Sequence, residues 1–221
     1  MENENTSYPF LNSDLAIKHF ADTDFALKQG RHIQDFASDH KLFVFIEEHY
    51  ERGLKMYYED LFGMKLMREE TDNDRYYFLS FPDDGRGKFG KDNRSKELED
   101  DRLIFAILLL NIYKDKFFEK KEVQWQELQH IFKESEHKEL WLQLLYGNLK
   151  PNYSPNEEEN VKTKVERILK SFESLGWIHF INQEELHFEI LPAIDRITKL
   201  YGDIINDVEI LQEFLSNEQL S

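Results

Sequence analysis

The sequence predicts a mainly helical α+β protein in which one order of elements occurs twice. Three observations carry this. One amphipathic helix stops at Gly63 and runs straight into β-prone residues, and a second does the same at Gly176. Between the halves lies the stretch 82–96, which holds three glycines and a proline and shows no apolar periodicity.

In the first half a short helix is expected over 24–29, with Gly30 placed to end it. Residues 39–52 carry Leu42, Phe43, Ile46 and Tyr50 at helical spacing. After Gly53, Leu54, Tyr57, Tyr58, Leu61 and Phe62 fall at i, i+3, i+4, i+7 and i+8, one apolar stripe. Runs 64–68 and 75–81, separated by a polar turn, then read as a hairpin. In the second half, 103–113 is apolar nearly all round and is expected to be the most buried helix. Helices are also expected over 123–132 and 140–146, with a loop over 150–160. Val161, Val165, Ile168, Leu169, Phe172 and Leu175 give an amphipathic helix over 161–175. Strands over 177–181 and 186–191 follow, and Pro192 suits the first position of a closing helix over 193–201.

A last helix feeding a β-hairpin is the arrangement of a winged helix. The expectation is therefore two tandem winged-helix domains, 14–97 and 98–201. A polar extension, 1–13, precedes them. The loop 82–96 is the linker, and an acidic tail, 202–221, follows. That tail has five acids and no Lys or Arg, and Ile204, Val208, Leu211 and Leu215 mark one face of a helix that must be covered.

Composition limits what such domains do. Apolar residues make up 40% and aromatics 14%, enough for packed cores. Lys and Arg number 28 against 44 Asp and Glu, a net charge of −16, the wrong sign for a protein whose whole surface binds duplex DNA. No cysteine is present, which removes disulfides, thiolate nucleophiles and thiolate metal sites. The longest apolar run, eight residues from Leu103, is far short of the roughly 20 a membrane helix needs. With a polar N-terminus unlike a signal peptide, the expectation is a cytoplasmic protein with no membrane contact.

Gly85, Gly87 and Gly90 match a G-x-G-x-x-G phosphate loop in spacing. The context is wrong: Pro82 and two aspartates follow the strand, and no apolar helix opens after Gly90. The same segment holds Arg86, Lys88, Lys91, Arg94 and Lys96 against Asp92, the main basic island of the chain; a solvated linker is its preferred reading, and contact with DNA phosphate the alternative. Lys162, Lys164, Arg167 and Lys170 form a second candidate, on the polar face of the helix that a DNA-binding winged helix inserts in the major groove. Glu166 and Glu173 oppose them, and nothing there suggests base reading, so any DNA contact is weak and not sequence-specific. The eight histidines show no i, i+3 or i, i+4 pair for a helical metal site. His179 and His187, on facing strands, are the one pairing left open. No nucleophile–base set or carboxylate pair stands out, so neither enzyme activity nor a cofactor is expected.

Several runs resemble a known family. The segment from Leu27 to Ile33, containing Gly-Arg-His-Ile, is similar to MukE/MksE proteins, small subunits of bacterial condensins. So are Phe45 to Glu51, the apolar helix over 103–113, Lys164 to Arg167 and the Leu-Gly-Trp-Ile-His-Phe run ending at Phe180. The resemblance covers roughly residues 20–200 and leaves the 85–96 segment and the tail unexplained. It implies a non-catalytic tandem winged-helix subunit that forms homodimers and clasps a kleisin (MukF/MksF-like). The kleisin bridges the heads of an SMC ATPase (MukB/MksB-like), and the assembly entraps DNA at the nucleoid for chromosome organisation and segregation. A variant is the same role in defence against plasmids. Arg31, His32, Tyr57, Tyr58 and the tail stripe are the candidate partner or dimer surface, with core the preferred reading of Tyr57, Tyr58 and Trp177. The rival reading is a free-standing DNA-binding regulator acting through 162–170.

Overall fold

The computed structural model describes residues 8–71, 74–80, 98–116, 120–135 and 138–205. It is mostly helical, with two small antiparallel sheets, as an α+β chain should be. The chain divides into two compact units, Met1–Glu97 and Leu98–Ser221.

In the first unit, α1 (Asp14–Lys28), β1 (Ile33–Gln34), α2 (His40–His49) and α3 (Lys55–Phe62) precede β2 (Lys65–Glu70) and β3 (Arg75–Ser80). The sheet order is β1-β3-β2, with Tyr77 of β3 opposite Ile33 on one side and Arg68 on the other. Two elements differ from expectation. Helix α1 runs for 15 residues rather than covering only 24–29, because Ser13 caps it: the Ser13 hydroxyl accepts the Ala16 N–H at 3.0 Å. Its Ala16, Thr23 and Leu27 are buried at spacings of seven and four, too sparse a stripe to stand out in the sequence. Residues 8–13 are not an extension outside the first domain either. A 3-10 turn, Pro9–Asn12, puts Phe10 into the core at 1% exposure, against Phe20, Phe45 and Tyr57.

Helices α2 and α3 are joined by a π-helical turn, Tyr50–Leu54, broken by Gly53 at φ 109°. His49 at the end of α2 is almost wholly buried between Phe10 and Phe45, and its Nε2 lies 2.9 Å from the Ser13 Oγ. One serine therefore both caps α1 and ties it to α2. Burial lowers the His49 pKa below its ordinary 6.5, with Arg52 adding to the effect.

The second unit runs α4 (Asp100–Asp115), β4 (Glu122–Val123), α5 (Trp125–Glu134), α6 (Lys138–Tyr146), α7 (Pro155–Leu175), β5 (Ile178–Asn182) and β6 (His187–Ile190). A 3-10 turn, Pro192–Asp195, then leads into α8 (Arg196–Ile205). Its sheet order is β4-β6-β5. As expected, α4 is apolar all round and buried: every residue from Leu103 to Leu110 is inside. Phe105 sits at its centre, with ring centroids 6.0 Å from Phe132, 6.3 Å from Trp141 and 6.5 Å from Phe172. Lys121 closes the far end of α4, donating to the carbonyls of Tyr113 and Lys116, where a cation meets the negative pole of the helix. Pro155 stands inside the expected loop 150–160, yet it opens α7, because a proline is suited to the first helical turn.

The two helix-to-hairpin junctions are built alike. Gly63 and Gly176 are left-handed, at φ 66° and 75°. At the first, the Met64 N–H returns to the Tyr58 carbonyl at 3.2 Å; at the second, the Trp177 N–H returns to Phe172 at 2.9 Å. This closes each helix and turns the chain into a strand within one residue.

Replacing Gly63 or Gly176 by alanine forces an L residue into the left-handed region and is expected to cost about 1–2 kcal/mol each, read by urea unfolding. For His49, the unfolded chain binds a proton more readily than the folded one. Stability is thus fully present above pH 6.5 and is lost as pH falls from there through the lowered folded value. Unfolding midpoints between pH 7.5 and 5 should show this loss, and His49→Gln should flatten it.

Candidate interaction surfaces

Helix α7 carries the cations singled out for DNA contact. Its buried face is Val161, Val165, Ile168, Leu169 and Phe172, the stripe read from the sequence. A capping box starts it: the Glu157 N–H donates to the Ser154 Oγ, and the Glu157 carboxylate accepts the Ser154 N–H at 2.9 Å. Lys150, 2.6 Å away, and these Ser154 bonds hold the Glu157 carboxyl down to about 2.

Most of the cations on the other face are tied to their own chain. Lys162 donates to the Glu184 carbonyl in the β5–β6 turn at 3.1 Å. Lys164 donates to the Leu144 carbonyl at 3.0 Å and lies 3.7 Å from Asp101. Lys170 pairs with Glu166 at 2.9 Å, and Glu166 also accepts from Gln183 at 2.9 Å, so that Lys170 first and Gln183 second lower its pKa. Among the described residues, Arg167 is the only one of the four without such a tie; it is exposed. It lines a cleft of about 450 Å³ with Arg102 and Lys164, but Glu99, Asp101 and Glu157 line the same cleft. Three acids against three bases give no net pull on a phosphate. Arg86, Lys88, Lys91 and Arg94 lie outside the described residues.

The run from Gly30 to Ile33 is used by the fold. Arg31 forks onto Asp39 through Nε at 2.8 Å and Nη2 at 3.0 Å, and Asp39 is 5% exposed. His32 is buried and stacks on Phe78 at 5.2 Å, while Ile33 is wholly buried in β1. Tyr58 is also wholly buried; burial first and the Asp24 carboxylate second push its hydroxyl far above the ordinary phenol range. Half-buried Tyr57 touches the rings of Tyr8, Phe10, Phe20 and Phe62. Trp177 packs on Phe172 at 5.4 Å. These residues build the two cores. Of the tail stripe, Ile204 has its backbone in α8, and Val208, Leu211 and Leu215 lie outside the described residues.

The register corrects the histidine pairing. His179 stands opposite Glu189, not His187, and His187 instead contacts Glu122 of β4 at 3.2 Å. Among the described residues no group of three or more His, Asp or Glu could hold a metal ion, and no helix is long and apolar enough to cross a membrane.

A polar groove in the first unit ties the hairpin to α2. Glu47 accepts from Arg75 at 2.7 Å and from the Tyr77 hydroxyl at 2.6 Å, and Arg75 also reaches Glu70 at 3.0 Å. Burial pushes the Glu47 carboxyl up, but Tyr77 and Arg75 together outweigh it and leave its pKa lowered.

The sequence reading missed the solvent face of α1. Ile17 is 78% and Phe25 65% exposed, one turn either side of exposed Ala21. Their spacing of four was a usable signal, hidden because the helix was expected to begin at residue 24.

Ser154→Ala should destabilise the second unit by about 1 kcal/mol, seen as a lower urea midpoint, with α7 fraying from its N-terminus in hydrogen exchange.

A family model for the condensin complex protein MksE matches residues 18–201, spanning both units. No curated protein matches the chain. With the match covering most of its length, the chain belongs to the MksE family of condensin complex subunits.

Proposed function

We propose that this chain is a non-catalytic subunit of a bacterial SMC complex, built from two winged-helix domains (14–97 and 98–201) that serve assembly rather than DNA reading. In this role it dimerises, binds an MksF-like kleisin and, through it, an MksB-like SMC ATPase, and supports DNA entrapment for chromosome organisation at the nucleoid. The same subunit role in plasmid defence shares every one of these features.

The observation that carries the reading is the state of α7. A winged helix that reads DNA presents free donors from this helix to the major groove. Here Lys162, Lys164 and Lys170 are tied to Glu184, Leu144 and Glu166 of the same unit, in a chain of net charge −16. The order in the first unit, helix, short strand, two helices and hairpin, supports the winged-helix assignment. So does the second unit, where α6 before the last helix and α8 after the hairpin are added to the same order. A kleisin is a largely extended chain, and two small domains offer it grooves and sheet edges.

The test is copurification of the full chain with the kleisin of its own complex, followed by light scattering of the eluted species. A stable complex containing two copies of this chain is the expected result; a monomer that ignores the kleisin would sink the proposal. Fluorescence anisotropy on a random-sequence duplex separates the regulator reading. The subunit reading expects weak binding that Lys164→Ala and Arg167→Ala alter by no more than about twofold in 150 mM salt, few phosphates being neutralised. Tight, sequence-dependent binding that those changes abolish would favour the regulator.

A further inference from the structure

The geometry points to the solvent face of α1 as a self-association surface, on which two copies of this chain pair their α1 helices antiparallel about Ala21. This rests on the dimerisation named above and adds the surface and its register.

The face is apolar at its centre. Ile17, Ala21 and Phe25 recur every four residues and so lie on one stripe, opposite the buried Ala16, Thr23 and Leu27. Ile17 and Phe25 are the two most exposed large apolar side chains among the described residues. They flank the smallest side chain on the stripe, and a small residue lets two helix backbones approach closely at that point.

The charges around the stripe choose the occupant. Asp14, Lys18 and Asp22 are exposed and, among the described residues, form no ion pair within the chain. With a two-fold axis at Ala21, Ile17 shares a layer with the partner's Phe25, and Phe25 with the partner's Ile17. One layer further out, Asp14 meets the partner's Lys28. In this chain Lys28 already pairs with Asp24 at 2.8 Å and covers the Phe62 ring at 3.8 Å, so it is held in place beside the stripe. Along one flank Lys18 comes beside the partner's Asp22, and the symmetry makes the same pair a second time. A parallel pairing instead stacks Asp14 on Asp14 and Lys18 on Lys18. The face is therefore complementary to itself in the antiparallel register alone, both in shape and in sign.

Analytical ultracentrifugation of the full chain over a range of concentrations tests this, with circular dichroism checking that each variant folds. Ile17→Glu with Phe25→Glu should weaken the dimer at least about tenfold, as loss of central apolar anchors does. Lys18→Asp and Asp22→Lys should each weaken it, and the two together should restore it, a rescue that no effect on folding produces. A dimer indifferent to Ile17→Glu with Phe25→Glu, or charge reversals without rescue, overturns the α1 register while leaving dimerisation itself standing. A wild-type chain that stays monomeric at every concentration overturns both.

Discussion

Each half of this molecule depends on one backbone event, a helix that ends on a left-handed glycine and, one residue on, becomes a strand. At Gly63 and Gly176 the following N–H folds back onto the helix's last turn, and the strand leaves in a fixed direction. That direction decides where the hairpin lies. In the first unit it brings Arg75 and Tyr77 of β3 onto Glu47 of α2. In the second it brings the β5–β6 turn over α7, where the Glu184 carbonyl accepts from Lys162 and the Gln183 amide donates to Glu166.

The same event bears on function. Once the hairpin turn lies against α7, Lys162 has the Glu184 carbonyl within reach, and a lysine held by a carbonyl gives up that bond to meet a phosphate. A last helix feeding a hairpin usually suggests DNA recognition; here Lys162 is held by the hairpin turn, Lys164 by α6 and Lys170 by Glu166 of α7 itself. A subunit of a condensin complex that works by assembly is consistent with that local chemistry and with the chain's acidic field.

The cores show how the family resemblance and the physics overlap. The run from Gly30 to Ile33 reads as a signature, and its residues hold the first unit together: Arg31 forks onto Asp39, His32 stacks on Phe78, and Ile33 fills β1. Residues that build the core say little about partners. The apolar side chains for which the fold has no use lie elsewhere, as at exposed Ile17 and Phe25 on α1, the face proposed above for self-association.

Sequence by itself determined the helix stripes, the two glycine junctions, both hairpins and the all-round burial of α4, because each is a local pattern of period two or three to four, or a single glycine. Tertiary structure alone decided the rest. The two-residue strands β1 and β4 are too short to show a pattern and exist only because β3 and β6 offer them an edge. Phe10 joins the core, and α1 begins at Asp14, because Ser13 caps the helix and reaches His49 across 36 residues. His179 faces Glu189 because strand register is set by pairing rather than by position in the hairpin. The cations of α7 looked free in the sequence, which gives a lysine's neighbours along the chain but not the carbonyls of Leu144 and Glu184 that folding brings to it.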